Sequence, residues 1–223
     1  MKNKHAVFPI TMAGLAFLCF LFVAYATLTS VQPLWGKTMV LILPSLILSA
    51  VAVLALKGKL SRRMTEFVTL VLSIVLVIVS FVYTIFLAVW TTTTETTDVK
   101  FYERAYDVID HRNGVKEAFP EKIPVDAEEV NFRYFPGFLQ GGEVFELSYT
   151  TTADVLRDWE MLLKEKAEWI GSNEEWQQDH WGFGDEDAVR YQLYWDGGEN
   201  HGEMAYVLID PVSKRITFYY DNW

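Results

Sequence analysis

Between His5 and Lys37 the chain carries no charged residue, and most of that gap is one apolar run, VFPITMAGLAFLCFLFVAYATLTS (7–30). Two more follow, TMVLILPSLILSAVAVLAL (38–56) and FVTLVLSIVLVIVSFVYTIFLAVW (67–90). A helix rises 1.5 Å per residue, so ~20 apolar residues cross the ~30 Å hydrocarbon layer. Three consecutive runs of this length predict three transmembrane helices rather than buried helices of a soluble core. The chain then divides into a membrane region (1–90), a Thr-rich linker TTTTETTD (91–98) and a water-exposed domain (99–223).

Charge supports that division and orients it. Residues 1–90 carry Lys2, Lys4, Lys37, Lys57, Lys59, Arg62 and Arg63 against Glu66 alone, whereas residues 91–223 carry 12 basic and 28 acidic side chains. Basic loops stay in the cytoplasm. The tail MKNKH and the second connection KGKLSRRMTE (57–66) are therefore expected inside, which puts 91–223 outside. Trp35 and Trp90 then fall at outer helix ends, where amphipathic rings favour the headgroup layer. AYA (24–26) has the small-x-small form of a signal cleavage site, but the uncharged run is longer than a signal core, so an intact span is expected. Cys19 is the sole cysteine, so the outer domain must fold without disulfides. It also lacks an Asn-x-Ser/Thr sequon. Both features fit a bacterial envelope. The spans hold no charged residue, which argues against transport or ion conduction. Thr69, Ser73, Ser80 and Thr84 lie on one side of the third helix and read as a packing seam, within the chain or between copies in a homo-oligomer.

The outer segment is long enough for one compact domain. DVKFYERAYDVIDHRNG (98–114) predicts a helix stopped at Asn113-Gly114. VNFRYF (130–135) and EVFELSYT (143–150) alternate with period two and predict a hairpin. Leu156, Trp159, Leu163, Ala167 and Ile170 recur at helical spacing, predicting a helix over 153–170 with Thr151 or Thr152 at its start and Gly171 at its end. Ser172 and Glu175 have the spacing of a capping box. Strands follow at 188–195, 204–209 and 215–220. In the first, Val189, Tyr191, Leu193 and Trp195 are expected to share one side. The fold class is α+β: after a first helix, the order ββαβββ forms an antiparallel sheet buried on one face by the helix 153–170.

The run FPEKIPVDAEEVNFRYFPGFLQGGEVFELSY (119–149) resembles a pattern in uncharacterised exported or membrane-anchored proteins of Gram-positive bacteria. There an FP..IP loop precedes an alternating strand and a PGFLQGG turn. The resemblance covers roughly a quarter of the outer domain and implies a fold, with no activity, catalytic residue or ligand attached.

Chemistry-bearing patterns are sparse. Ser148, Ser172 and Ser213 lie in a strand, a cap and a turn, with no G-x-S-x-G or S-x-x-K around them. His180 and His201 sit among acids without metal-ligand spacing, so no metal site is expected, and the acidic turns read as solvated surface. No cofactor fingerprint is present, and the acidic balance argues against a nucleic-acid partner. The stretch EEWQQDHWGFGDED (174–187) is the most suggestive. Trp176, Trp181 and Phe183 beside Asp185 and Asp187 have the makeup of a small-ligand site. Trp159, Trp169 and Trp195 read as core. The expected function is a non-catalytic, membrane-anchored envelope protein whose acidic domain binds a partner protein or ligand. An aromatic-lined cell-wall glycan module is the alternative, with a hydrolase third.

Overall fold

The computed structural model describes residues 4–109, 116–138, 141–179, 184–197 and 202–223. The chain forms two compact units, Met1–Thr91 and Thr92–Trp223.

The first unit contains three helices long and apolar enough to cross a membrane. The first is α1 (Val7–Leu28). The second is built in pieces: a turn α2 (Trp35–Thr38), a 3-10 stretch Met39–Ile42, and α3 (Leu43–Leu56). Pro44 lies in the first turn of α3, where a missing N–H leaves no bond unmade and the fixed φ suits the start of a helix. The third, α4 (Arg62–Thr93), runs beyond the apolar 67–90 at both ends. It takes in the Arg62–Glu66 ion pair (2.8 Å) and the first three residues expected in the linker, Thr91 to Thr93. Ser45 donates to the Ala13 carbonyl (3.1 Å), joining α3 to α1. Tyr83 donates to the Lys37 carbonyl (2.9 Å), and Phe20, Leu41 and Leu87 form a buried cluster nearby. Threonine hydroxyls turn back onto their own helix: Thr11 donates to Val7 O, Thr84 to Ser80 O and Thr91 to Leu87 O. That is how a polar group is satisfied in apolar surroundings.

The second unit begins with a 3-10 turn (Val99–Phe101) and α5 (Tyr102–Val108), shorter than the helix expected over 98–114; its residues 110–114 lie outside the described residues. Then come β1 (Glu128–Phe138), β2 (Gly141–Thr150), α6 (Ala153–Lys166), β3 (Trp169–Ser172), α7 (Asn173–Asp179), β4 (Val189–Asp196), β5 (Glu203–Asp210) and β6 (Arg215–Asn222). The six strands form one antiparallel sheet in the order β1-β2-β6-β5-β4-β3. Its first face is aromatic. Phe145, fully buried, meets Tyr102 at 5.5 Å, Phe132 at 5.8 Å and Phe119 at 5.9 Å between ring centroids. Trp159 of α6 packs edge-on against Phe218 at 4.9 Å. Offset and edge-on pairs of this kind add to what burial alone contributes.

Three expectations are corrected. Helix α6, capped by Thr152 accepting from the Val155 N–H (3.4 Å), ends at Lys166 rather than at 170. Ala167 turns extended and the Glu168 N–H donates to the Gln192 carbonyl (2.8 Å), so Trp169 and Ile170 become a strand on the edge of β4. Pairing with an open strand edge outweighs helix propensity there. Second, Leu193 lies in a register shift between Gln192 and Tyr194. The extra residue carries Trp195 to the face opposite Tyr191, instead of leaving both on one side. Third, the sheet is not buried on one face only: Met204 through Ile209 are buried without interruption, as in a strand covered on both sides.

Candidate functional site

The second face of the sheet places one residue from each strand in a single cross-strand row: Arg133, Glu146, Tyr219, Tyr206, Gln192 and Trp169. The two halves of that row are chemically unlike.

The β3–β4–β5 half is closed. The Ser172–Glu175 capping box forms, with the Glu175 N–H donating to Ser172 Oγ (3.1 Å) and the Ser172 N–H to Glu175 Oε2 (3.4 Å). It starts α7 and brings Trp176 onto the face. Trp176 packs against Trp169 (5.1 Å) and edge-on to Trp195 (5.8 Å), which itself meets Trp223. Gly202 and Trp223 exchange backbone hydrogen bonds at 2.9 Å, and a Cβ on Gly202 would overlap the Trp223 indole. Beneath these rings Arg190 is wholly buried. Its Nε donates to Gln192 Oε1 (2.7 Å) and its Nη1 to Asn173 Oδ1 (3.0 Å). The guanidinium lies 3.6 Å from the Tyr206 ring centroid and 4.6 Å from that of Trp176. Among the described residues no carboxylate forms an ion pair with it. Burial pulls its pKa down to about 10, with Tyr206 and Tyr219 opposing. Two aromatic faces and two amide oxygens hold this cation in place of a counter-ion.

The ligand-site residues expected from the sequence fall around this half. Trp176 is 7% exposed, so its ring is core and offers no stacking platform to a ligand. Trp181 and Phe183 lie outside the described residues, as do His180 and His201. Asp185 folds its own loop: its carbonyl accepts from Asn173 Nδ2 (3.0 Å) and its carboxylate from the Asp187 N–H (3.1 Å). Asp185 and Asp187 are both exposed. In the helical unit, Thr69 and Ser73 of the expected seam are buried, and Ser73, Ser80 and Thr84 line a cavity.

The β1–β2–β6 half is polar and open at its edge. Thr97, Val130, Asn131, Phe132, Arg133 and Glu146 line a groove of about 420 Å³. Arg133 donates to Glu95 (3.1 Å) from the segment just before the domain. Thr96 and Tyr134 exchange backbone hydrogen bonds at 2.9 Å each, so this part of TTTTETTD is a one-bridge extension of the sheet on the outer side of β1. Asp98 then accepts from the Lys100 N–H (3.2 Å) and turns the chain away. By the alternation of an antiparallel ladder, the N–H and C=O of Phe132 face the same edge as those of Tyr134. Burial pushes the Glu146 carboxyl above the usual range, Arg133 pulling the other way. Sequence reasoning did not single out Glu146, Arg133, Asn131 or Arg190, because cross-strand register brings them together.

Asp221 gives a pH prediction. Burial pushes its carboxyl above the ordinary 3.8, opposed by the Tyr219 hydroxyl at 3.1 Å. A carboxyl with a raised folded pKa contributes stability present below the unfolded value and lost as pH rises through the folded one. Asp221→Asn, which can still accept from Tyr219, should therefore melt higher than the parent at pH 7, with the advantage shrinking toward pH ~4. An equal or lower melting temperature at pH 7 would refute this.

Among the described residues no three His, Cys, Asp or Glu side chains gather as metal ligands do. No protein-family model, curated protein or solved structure matches the chain.

Proposed function

We propose that this is a membrane-anchored binding protein that holds its acidic α+β domain outside the cell membrane and docks an extended segment of a partner protein along the edge of β1. One observation carries the reading: the Thr96–Tyr134 bridge shows that edge engaging an extended segment, which leaves after one pair beside a polar groove. Addition of a strand gains main-chain hydrogen bonds, while Arg133, Asn131 and Glu146 supply side-chain specificity. Orientation rests on the basic loops and membrane anchoring on the three apolar helices. The burial of Trp176 counts against the glycan alternative.

The test uses two single-cysteine variants in a Cys19→Ser background, labelled with a membrane-impermeant maleimide. Val212→Cys, at a site 91% exposed in the β5–β6 turn, should react in intact cells, because the domain faces out. Asn131→Cys should react at least ~10-fold more slowly, relative to Val212→Cys, in cells than in purified protein, because a bound strand covers it. Reaction of Val212→Cys only after permeabilisation would overturn the orientation. Equal relative rates in both settings would overturn the docking.

A further inference from the structure

Glu146 stands on β2, one strand in from the edge of the sheet, yet it lines the same groove as Thr97, Val130 and Asn131. Its side chain is partly exposed there. Among the described residues it forms neither a hydrogen bond nor an ion pair. Its cross-strand neighbours are committed elsewhere. Arg133, opposite it on β1, turns its Nε to Glu95 (3.1 Å). Tyr219, opposite it on β6, donates to Asp221 (3.1 Å). Arg133 thus acts on three carboxylates at once, those of Glu95, Glu146 and Asp221. Burial still pushes the Glu146 and Asp221 carboxyls above the usual range, so Arg133 does not offset it. A second cationic donor would be stabilised in this groove.

Geometry limits which side chain can supply it. A segment added outside β1 lies two strand spacings from β2, about 10 Å. Short polar side chains do not bridge that span. The long stems of lysine and arginine do, passing Asn131 to meet the glutamate part-way. Phe132 turns its N–H and C=O to the same edge as Tyr134, so main-chain bonds can hold the segment while its side chain enters the groove. The wider field agrees. Residues 91–223 carry 28 acidic against 12 basic side chains, which draws a basic segment in and repels an acidic one.

We propose that the segment docked on β1 is basic, with one lysine or arginine side chain crossing the groove to the Glu146 carboxylate. This rests on the strand docking proposed above and adds the chemistry of the partner. Docking itself is judged by the labelling of Asn131→Cys in cells, which assumes no charge on the partner, so the two can fail separately.

The binding test uses the full-length protein in nanodiscs of phosphatidylcholine, a lipid without net charge, and three short fluorescein-labelled peptides. Each alternates Thr with a second residue, which is Lys, Gln or Glu. Fluorescence anisotropy should show saturable binding of the Thr-Lys peptide, ~10-fold tighter than Thr-Gln, the size of one hydrogen bond to a charged group. Glu146→Gln should lower the Thr-Lys affinity by the same factor and leave Thr-Gln unchanged. The variant should fold, because burial already disfavours the charge it removes, and the peptide series on the parent protein decides even if it does not. Asp187→Asn removes an exposed charge from the loop before β4 and should leave Thr-Lys binding unchanged. The proposal is overturned if no peptide binds, or if Thr-Glu binds as tightly as Thr-Lys. It is also overturned if Asp187→Asn weakens Thr-Lys as much as Glu146→Gln does, which would show unspecific attraction. Equal binding of Thr-Lys and Thr-Gln, both slowing maleimide reaction at Asn131→Cys, would keep the docking and remove the basic partner.

Discussion

Trp176→Ala should lower the stability of the domain by ~3–5 kcal/mol, the range for removing a large aromatic from a core. An exposed ring on a ligand-binding loop would cost only ~0.5 kcal/mol, so the measurement separates the two by a wide margin. The ring is 7% exposed and touches Trp169 and Trp195, with the Arg190 guanidinium over its face. Its loss removes one wall of the cation's enclosure as well as apolar contact. Urea unfolding of full-length protein in nanodiscs, followed by near-ultraviolet circular dichroism, measures it. A midpoint within error of the parent would place the ring at the surface and restore the loop 174–187 as a ligand platform.

Arg190→Ala should be of similar size, ~3–5 kcal/mol, for different reasons. It removes the hydrogen bonds that two amide oxygens, Asn173 Oδ1 and Gln192 Oε1, accept from the guanidinium, each worth ~1.5–3 kcal/mol as a bond to a charged group. It also removes stacking on Tyr206 and Trp176, ~2 kcal/mol when desolvated. Arg190→Lys keeps the charge but not the planar fork, so it should recover less than half of the loss. Arg190→Met tests the opposing term, since it also gives up these hydrogen bonds but no longer buries a charge. If Met proves as stable as Arg, the cation contributes nothing net, and the two amides re-pair without it.

Both effects trace to features of unequal legibility in the sequence. The three long helices were readable because bilayer thickness sets a length and forbids charge, and both conditions are local properties of one run. The hairpin β1–β2 and the strands β4 to β6 were readable because period-two alternation is likewise local. So was the start of α7, where a serine and a glutamate three residues apart bond each other's backbone.

Tertiary structure decided what local pattern left undetermined. The sequence 167–170 suits a helix, and only the vacant edge of β4 makes it a strand. The register shift at Leu193 moves Trp195 to the second face, where it meets Trp176, the ring that lies over Arg190. The groove of Arg133 and Glu146 exists because β1 and β2 pair in one register and Thr96 folds back on the outer edge. Composition and periodicity settle which residues leave water, because that depends on each short segment alone. They cannot settle which buried groups meet, because strand pairing joins residues far apart in the chain and one inserted residue reverses every side chain beyond it.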